Sequence, residues 1–208
     1  MNTPSVFRTC PTTGLKVHDA AENLIKANAV VAVVFLLIGG LFGLSIALTR
    51  WPAVHLLPAD WFYLALTAHG FDVLLVWIIF FEMAVLYFAS AILLNCRLAA
   101  PRWAWAQFGL MLVGALMVNV AVLQGNSSVM FTSYPPLQAS PWFYLGLILF
   151  AVGALIGCAV FFGTLVIGAR LVITRPDGHR DPRYMAELIA REGVTTINLV
   201  SSMLDALV

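Results

Sequence analysis

Residues 66–94 read LTAHGFDVLLVWIIFFEMAVLYFASAILL. A hydrocarbon run of this length exceeds the ~20 residues that carry a helix across the ~30 Å core of a bilayer. Yet His69 sits in its first turn, and Asp72 and Glu82 follow. An imidazole at the edge of a membrane helix needs a metal, a proton partner or a way out to water. The same run therefore sets the fold, a helix through lipid, and poses the chemical question.

Three further runs of comparable length accompany it, Ala27–Leu48, Trp103–Leu123 and Trp142–Ile167. Together with Trp61–Leu94 they predict an all-α membrane protein of four transmembrane helices. The second run is too long for one straight span, so its first turn, through Ala68, is expected at the interface, or the whole helix tilted. The totals agree, since 62% of the 208 residues are hydrophobic and only 10% are charged, a balance that makes lipid the solvent of most of the chain. The lipid bilayer is thus the first partner. A net charge of +1, with Lys and Arg scattered along the sequence, leaves no footprint for nucleic acid. Cys10, Cys96 and Cys158 have no metal-type spacing and are expected as free thiols.

Residues 1–26 are polar, contain Pro4 and Pro11, and lack the apolar core of a cleavable signal; they are expected to stay on the chain as a cytoplasmic segment. Ten of the eleven Lys and Arg fall in this segment, in the link between helices two and three, and in the tail, against Arg50 alone on the opposite side. The positive-inside rule then predicts that both termini are cytoplasmic. It also places Trp51, Trp61 and Trp142 in an outer aromatic belt and Trp103 and Trp105 in an inner one. Gly39, Gly40 and Gly43, and the GxxxG pair Gly153 and Gly157, have spacings that let helices approach closely. The outer loop, residues 124–141, reads QGNSSVMFTSYPPLQASP; its paired prolines forbid a helix, and its apolar Val129, Met130, Phe131 and Tyr134 predict a lid folded over the bundle.

On this topology His69 lies about one turn inside the outer interface, where it could anchor the helix or face a cofactor. Asp72, at i+3, shares its helical face and could orient or charge the ring. Glu82 lies deeper, where an ionised carboxyl is costly, so it is expected to be protonated, hydrogen-bonded or part of a proton or ion path. Asp72 and Glu82 are together the candidate proton or polar site. A haem held between two imidazoles cannot be completed from the spans, because His18, His55 and His179 fall outside them; Met111, Met117 and Met130 are the other side chains that could serve as a second ligand.

The LTAHG turn at residues 66–70 and the segment FTSYPPLQASPWFYLG at 131–146 resemble subunit I of the haem-copper terminal oxidases, nearest their B-type branch. The order of parts, including FLLIGGLFGL in helix one, matches over roughly residues 20–167. The resemblance implies that His69 is an axial ligand, the iron ligand of the low-spin haem, of a or b type, which passes electrons toward oxygen in the respiratory chain. It implies that Tyr134, Pro135 and Pro136 cover the haem edge. It gives Asp72 and Glu82 no family role. Members of that family have about a dozen helices, and the copper ligands, the high-spin haem ligand and the opposite axial ligand lie in helices that this sequence does not contain. High-spin haem and copper are therefore expected only in a complete subunit. The chain reads as a truncated or split subunit, not competent alone, whose partners are other oxidase helices or subunits and, indirectly, a cytochrome c or quinol donor.

Residues 168–208 differ in character. They are similar to an internal piece of the adenylation domains of nonribosomal peptide synthetases, with Ser201 where that pattern has proline. Asp181 with Pro182 predicts a helix start and Gly193 a stop, then a β-rich run at Val194–Val200 and a second helix capped by Ser201. These residues contain no phosphate-cradling glycine loop, so adenylation is not expected of this cytoplasmic helix-strand-helix tail. Two other classes stay open on sequence alone. One is a cofactor-free helical scaffold or assembly subunit, and the other a small proton channel using Asp72 and Glu82.

Overall fold

A computed structural model describes residues 7–125, 127, 139–168, 172–194 and 197. It opens on a feature the composition did not suggest, a two-stranded antiparallel hairpin of β1, Phe7–Thr9, and β2, Lys16–His18. The turn is closed by Cys10 N–H on the Leu15 carbonyl (2.8 Å) and Gly14 N–H on the Cys10 carbonyl (2.9 Å). Gly14 has a φ of +69°, which glycine adopts without steric cost. Apart from this small sheet and one isolated bridge, the regular elements among the described residues are all helices.

Helix α1, Asp19–Arg50, starts well before the apolar run. Its polar first turns are good helix formers that extend the rod beyond the hydrocarbon. Asp19 and Glu22 suit the positive end of the helix dipole, and Glu22 pairs with Lys26 (2.6 Å) and with Arg8 of the hairpin (2.8 Å). The second span is continuous over residues 59–93 but not uniform. Helix α2, Ala59–Phe71, passes into a π-helical turn, Asp72–Val76; helix α3, Trp77–Phe88, passes into another, Ala89–Leu93. Neither π turn is apparent from the sequence. Helix α4, Pro101–Leu123, begins on a proline at the position where no N–H is needed, and α5, Pro141–Gly168, completes the bundle.

The tightest contact joins α4 to α5. A Cβ on Gly114 would lie 2.5 Å from the Gly146 carbonyl oxygen, and one on Gly146 would lie 2.8 Å from the Gly114 oxygen, so the two backbones touch. Gly153 and Gly157 do face another helix, as their spacing suggests: Gly153 meets Met111 and the Gln107 backbone, and Gly157 meets Met83 and the Gln107 side chain. A chain of edge-on rings, Phe71–Phe150 (6.1 Å), Phe150–Phe80 (6.0 Å) and Phe80–Phe108 (6.0 Å), ties the second span to α4 and α5. Trp51, Trp61, Trp103, Trp105 and Trp142 are all exposed at helix ends, the arrangement that aromatic belts require. Cys10, Cys96 and Cys158 are free.

At the hairpin end, the link after the second span is held from two sides. His18 Nδ1 accepts the Leu98 N–H (3.4 Å), and Thr164 of α5 accepts the Ala99 N–H (3.1 Å). In the tail, α6, Pro182–Glu192, has the expected boundaries. Asp181 Oδ1 accepts the Tyr184 N–H (3.1 Å), and Gly193 closes the helix in the left-handed conformation with φ 62°. The Arg175 guanidinium lies 4.3 Å from the Tyr184 ring centre. Most of the run Val194–Val200 and everything from Ser201 onward lie outside the described residues.

Candidate functional site

His69 points into the bundle. Its ring lies against Gly43 of α1, where an added Cβ would come within 2.8 Å of Cε1 and 2.9 Å of Nδ1. Nδ1 is 2.8 Å from the carbonyl oxygen of Gly39, one turn back on the same helix. A carbonyl only accepts, so Nδ1 carries the hydrogen, and in the neutral ring Nε2 is then the nitrogen with the lone pair. Nε2 makes no hydrogen bond among the described residues. The glycines of α1 thus do two jobs: Gly43 leaves space for the ring, and Gly39 lets α1 approach the turn after His69, with a Cβ position 2.6 Å from Val73 Cγ2. Gly40, between them, meets nothing within 4 Å and has no part in the contact.

Asp72 does not orient the ring. It is fully buried, and its Oδ1 accepts a hydrogen bond from Asn119 Nδ2 of α4 (2.8 Å), a nitrogen that also donates to the Ala115 carbonyl (3.0 Å). Its second oxygen, Oδ2, is buried without a hydrogen-bond partner among the described residues. The first π turn begins at this residue, and the Asp72 carbonyl receives the Trp77 N–H five residues on. Glu82 behaves differently. It is exposed on the outside of the described bundle and forms no hydrogen bond or ion pair among the described residues.

A second polar cluster, not singled out by sequence, lies nearer the hairpin end. The Tyr87 hydroxyl donates to Gln107 Oε1 (3.0 Å), while Gln107 Nε2 reaches Asn28 Oδ1 (3.4 Å) and the Met111 sulfur (2.9 Å). Asn28 in turn donates to the Leu24 carbonyl (2.8 Å). All four side chains are buried. Amides within apolar runs were the available signal for Asn28, Gln107 and Asn119, because a polar group in lipid must find a partner across helices.

Met111 is occupied in that cluster, and Met117 lies against Gly146 of α5; Met130 lies outside the described residues. So do Tyr134, Pro135 and Pro136. The two ends of their segment are joined by an antiparallel bridge between Ser127 and Ala139. The donor set at His69 therefore fits one side of a haem iron: a nitrogen with its lone pair free, a second nitrogen fixed on a backbone carbonyl, and a glycine cradle that a Cβ would fill.

Comparison with known proteins agrees with this layout. The family described as Cytochrome C and Quinol oxidase polypeptide I matches residues 23–185, reaching past the fourth span into α6. A solved heme-copper terminal oxidase dimer aligns with a TM-score of 0.61 and 25% identity, covering 67% of this chain and 24% of that one. Short stretches match other proteins. Phosphinothricin tripeptide synthetase PhsB of Streptomyces viridochromogenes is 58% identical over 45 residues, 22% of this chain and 4% of its own length. Tyrocidine synthase 3 of Brevibacillus parabrevis is 49% identical over 45 residues, 22% of this chain and 1% of its own length. Enterobactin synthase component F of Escherichia coli is 48% identical over 48 residues, 23% of this chain and 4% of its own length. The chain thus spans a small fraction of these synthetases and about a quarter of the solved oxidase chain. Four apolar helices of membrane-crossing length and a family match over most of the sequence lead to one conclusion: this multi-pass membrane protein belongs to the cytochrome c and quinol oxidase polypeptide I family, whose members bind haem.

Proposed function

We propose that the chain supplies one face of a low-spin haem site in a haem-copper terminal oxidase subunit I, with His69 Nε2 as the axial ligand. One observation carries this reading. Nδ1 is committed to the Gly39 carbonyl at 2.8 Å, which fixes the tautomer and the ring plane and leaves Nε2 as the ring nitrogen without a hydrogen bond among the described residues. A backbone carbonyl behind a ligand imidazole also raises the basicity of the ligating nitrogen. When bound, the haem supplies one-electron transfer; the residues of this chain hold the ring, exclude water with the apolar walls of α1 and α2, and keep the Nδ1 hydrogen in place. Tyr134, Pro135 and Pro136 are assigned to the haem edge on the family resemblance.

The remaining ligands belong to other helices. Glu82 supports their presence, because a carboxyl exposed this far inside a span is costly against lipid, and a polar protein surface against α3 removes that cost. We assign both termini to the cytoplasm from the charge distribution. Oxygen reduction, with electrons from a cytochrome c or a quinol, then requires the completed subunit.

The test is haem uptake by the full chain in detergent, with added imidazole standing in for the missing second ligand. Sharp low-spin α and β bands that His69→Ala abolishes are expected. A spectrum unchanged by His69→Ala, or no uptake by the wild type, contradicts the assignment and favours the cofactor-free scaffold.

A further inference from the structure

We propose that Asp72 is a proton-binding site at the junction of α1, the second span and α4, with the hydrogen carried on Oδ2. The site is closed on every side. Asp72 has no exposed surface; a Cβ on Gly39 of α1 would lie 3.0 Å from its Cβ, and Asn119 of α4 covers its other flank at 2.8 Å.

The hydrogen bonds identify which oxygen carries the proton. The Ala115 carbonyl can only accept, so the Asn119 atom that faces it is the amide nitrogen and not the oxygen. That same nitrogen faces Asp72 Oδ1. Oδ1 is therefore the acceptor, the role of the carbonyl oxygen in a neutral carboxylic acid. Oδ2 is left buried, with no donor among the described residues to stabilise a charge.

Charge completes the argument. Among the described residues no Lys or Arg pairs with Asp72, and the one titratable group near it is His69, on its own helix, whose Nδ1 is spent on Gly39. From α1 and α4 the groups that face it are Gly39 and Asn119, neither of which titrates. An isolated carboxylate in such surroundings is far more costly than a neutral acid that leaves one hydroxyl unpaired. A proton is thus the ligand this site takes, and Asn119 is the residue that positions the carboxyl to hold it. The inference does not depend on haem binding at His69.

Infrared spectroscopy of the full chain in lipid vesicles near neutral pH tests it, comparing H2O with D2O. The wild type should show a protonated carboxylic acid C=O band that shifts in D2O, disappears in the isosteric Asp72→Asn and persists in Glu82→Gln. Asn119→Leu should move the band to higher frequency without removing it, since the carbonyl oxygen loses its donor. This second variant assigns the band even if Asp72→Asn does not fold. Absence of a band sensitive to Asp72 or Asn119 overturns the proposal, and so does a carboxylate signal from Asp72 that responds to added sodium or potassium, which would make the site one for a metal cation.

Discussion

Gly43 has no side chain where the His69 ring lies, and this absence is testable. Gly43→Val would place a Cβ 2.8 Å from Cε1, and overpacking of this kind costs ~1–3 kcal/mol. The ring must move off the Gly39 carbonyl, so haem affinity should fall by about tenfold or more; Gly40→Ala, at a position with open space, should leave it unchanged. Spectral titration of the two variants side by side checks the pair. A second residue-scale expectation concerns His18. Burial, and then the charge of Arg97, push its imidazole below the ordinary value of 6.5, partly opposed by Asp19. The folded chain therefore holds His18 neutral, as its acceptor role toward the Leu98 N–H requires. As pH falls through about 6.5 the unfolded segment takes up the proton first, and stability is lost on the acid side. Exchange of the Leu98 amide, relative to its intrinsic rate, should accelerate on acidification below that value and level off above it.

At the scale of elements, the cluster of Asn28, Tyr87 and Gln107 joins α1, α3 and α4 through hydrogen bonds of 3.0 and 3.4 Å. Gln107→Leu strips the Tyr87 hydroxyl of its acceptor and Asn28 of a donor inside apolar packing, at a cost of ~1–3 kcal/mol. Adding Tyr87→Phe should recover part of that loss, because one orphaned group is then removed. Unfolding in mixed micelles, monitored by helical circular dichroism, measures both. These interhelical bonds also mark where sequence reading stops. Four spans were legible because apolar runs of membrane length have few other destinations. The π turns at Asp72–Val76 and Ala89–Leu93 were not, since nothing local in DVLLV or ASAIL distinguishes them from α-helix and neighbouring helices decide the register. His69 stands out as a candidate through its glycine neighbour and the proline-rich loop. The group its ring meets, the Gly39 carbonyl, was hidden because a backbone atom leaves no mark in the sequence, and Asn119 was missed as the partner of Asp72 because it lies 47 residues away.

For the whole molecule, the described bundle is closed on one side and open on another. The α4–α5 interface is sealed by touching backbones at Gly114 and Gly146, whereas α3 presents Glu82 outward, and the chain spans about a quarter of the oxidase chain it resembles. The proposed haem half-site would combine these two features, the imidazole of His69 on α2 and the outward carboxyl of Glu82 on α3. The most direct measurement is electron spin-echo spectroscopy of the ferric, haem-loaded full chain labelled with 15N-histidine, recorded for the wild type and for each of the four histidines replaced in turn by alanine. Coupling of the iron to a histidine nitrogen should vanish only in His69→Ala and survive in His18→Ala, His55→Ala and His179→Ala. Coupling that outlasts the loss of His69, or none in the wild type, would contradict the account.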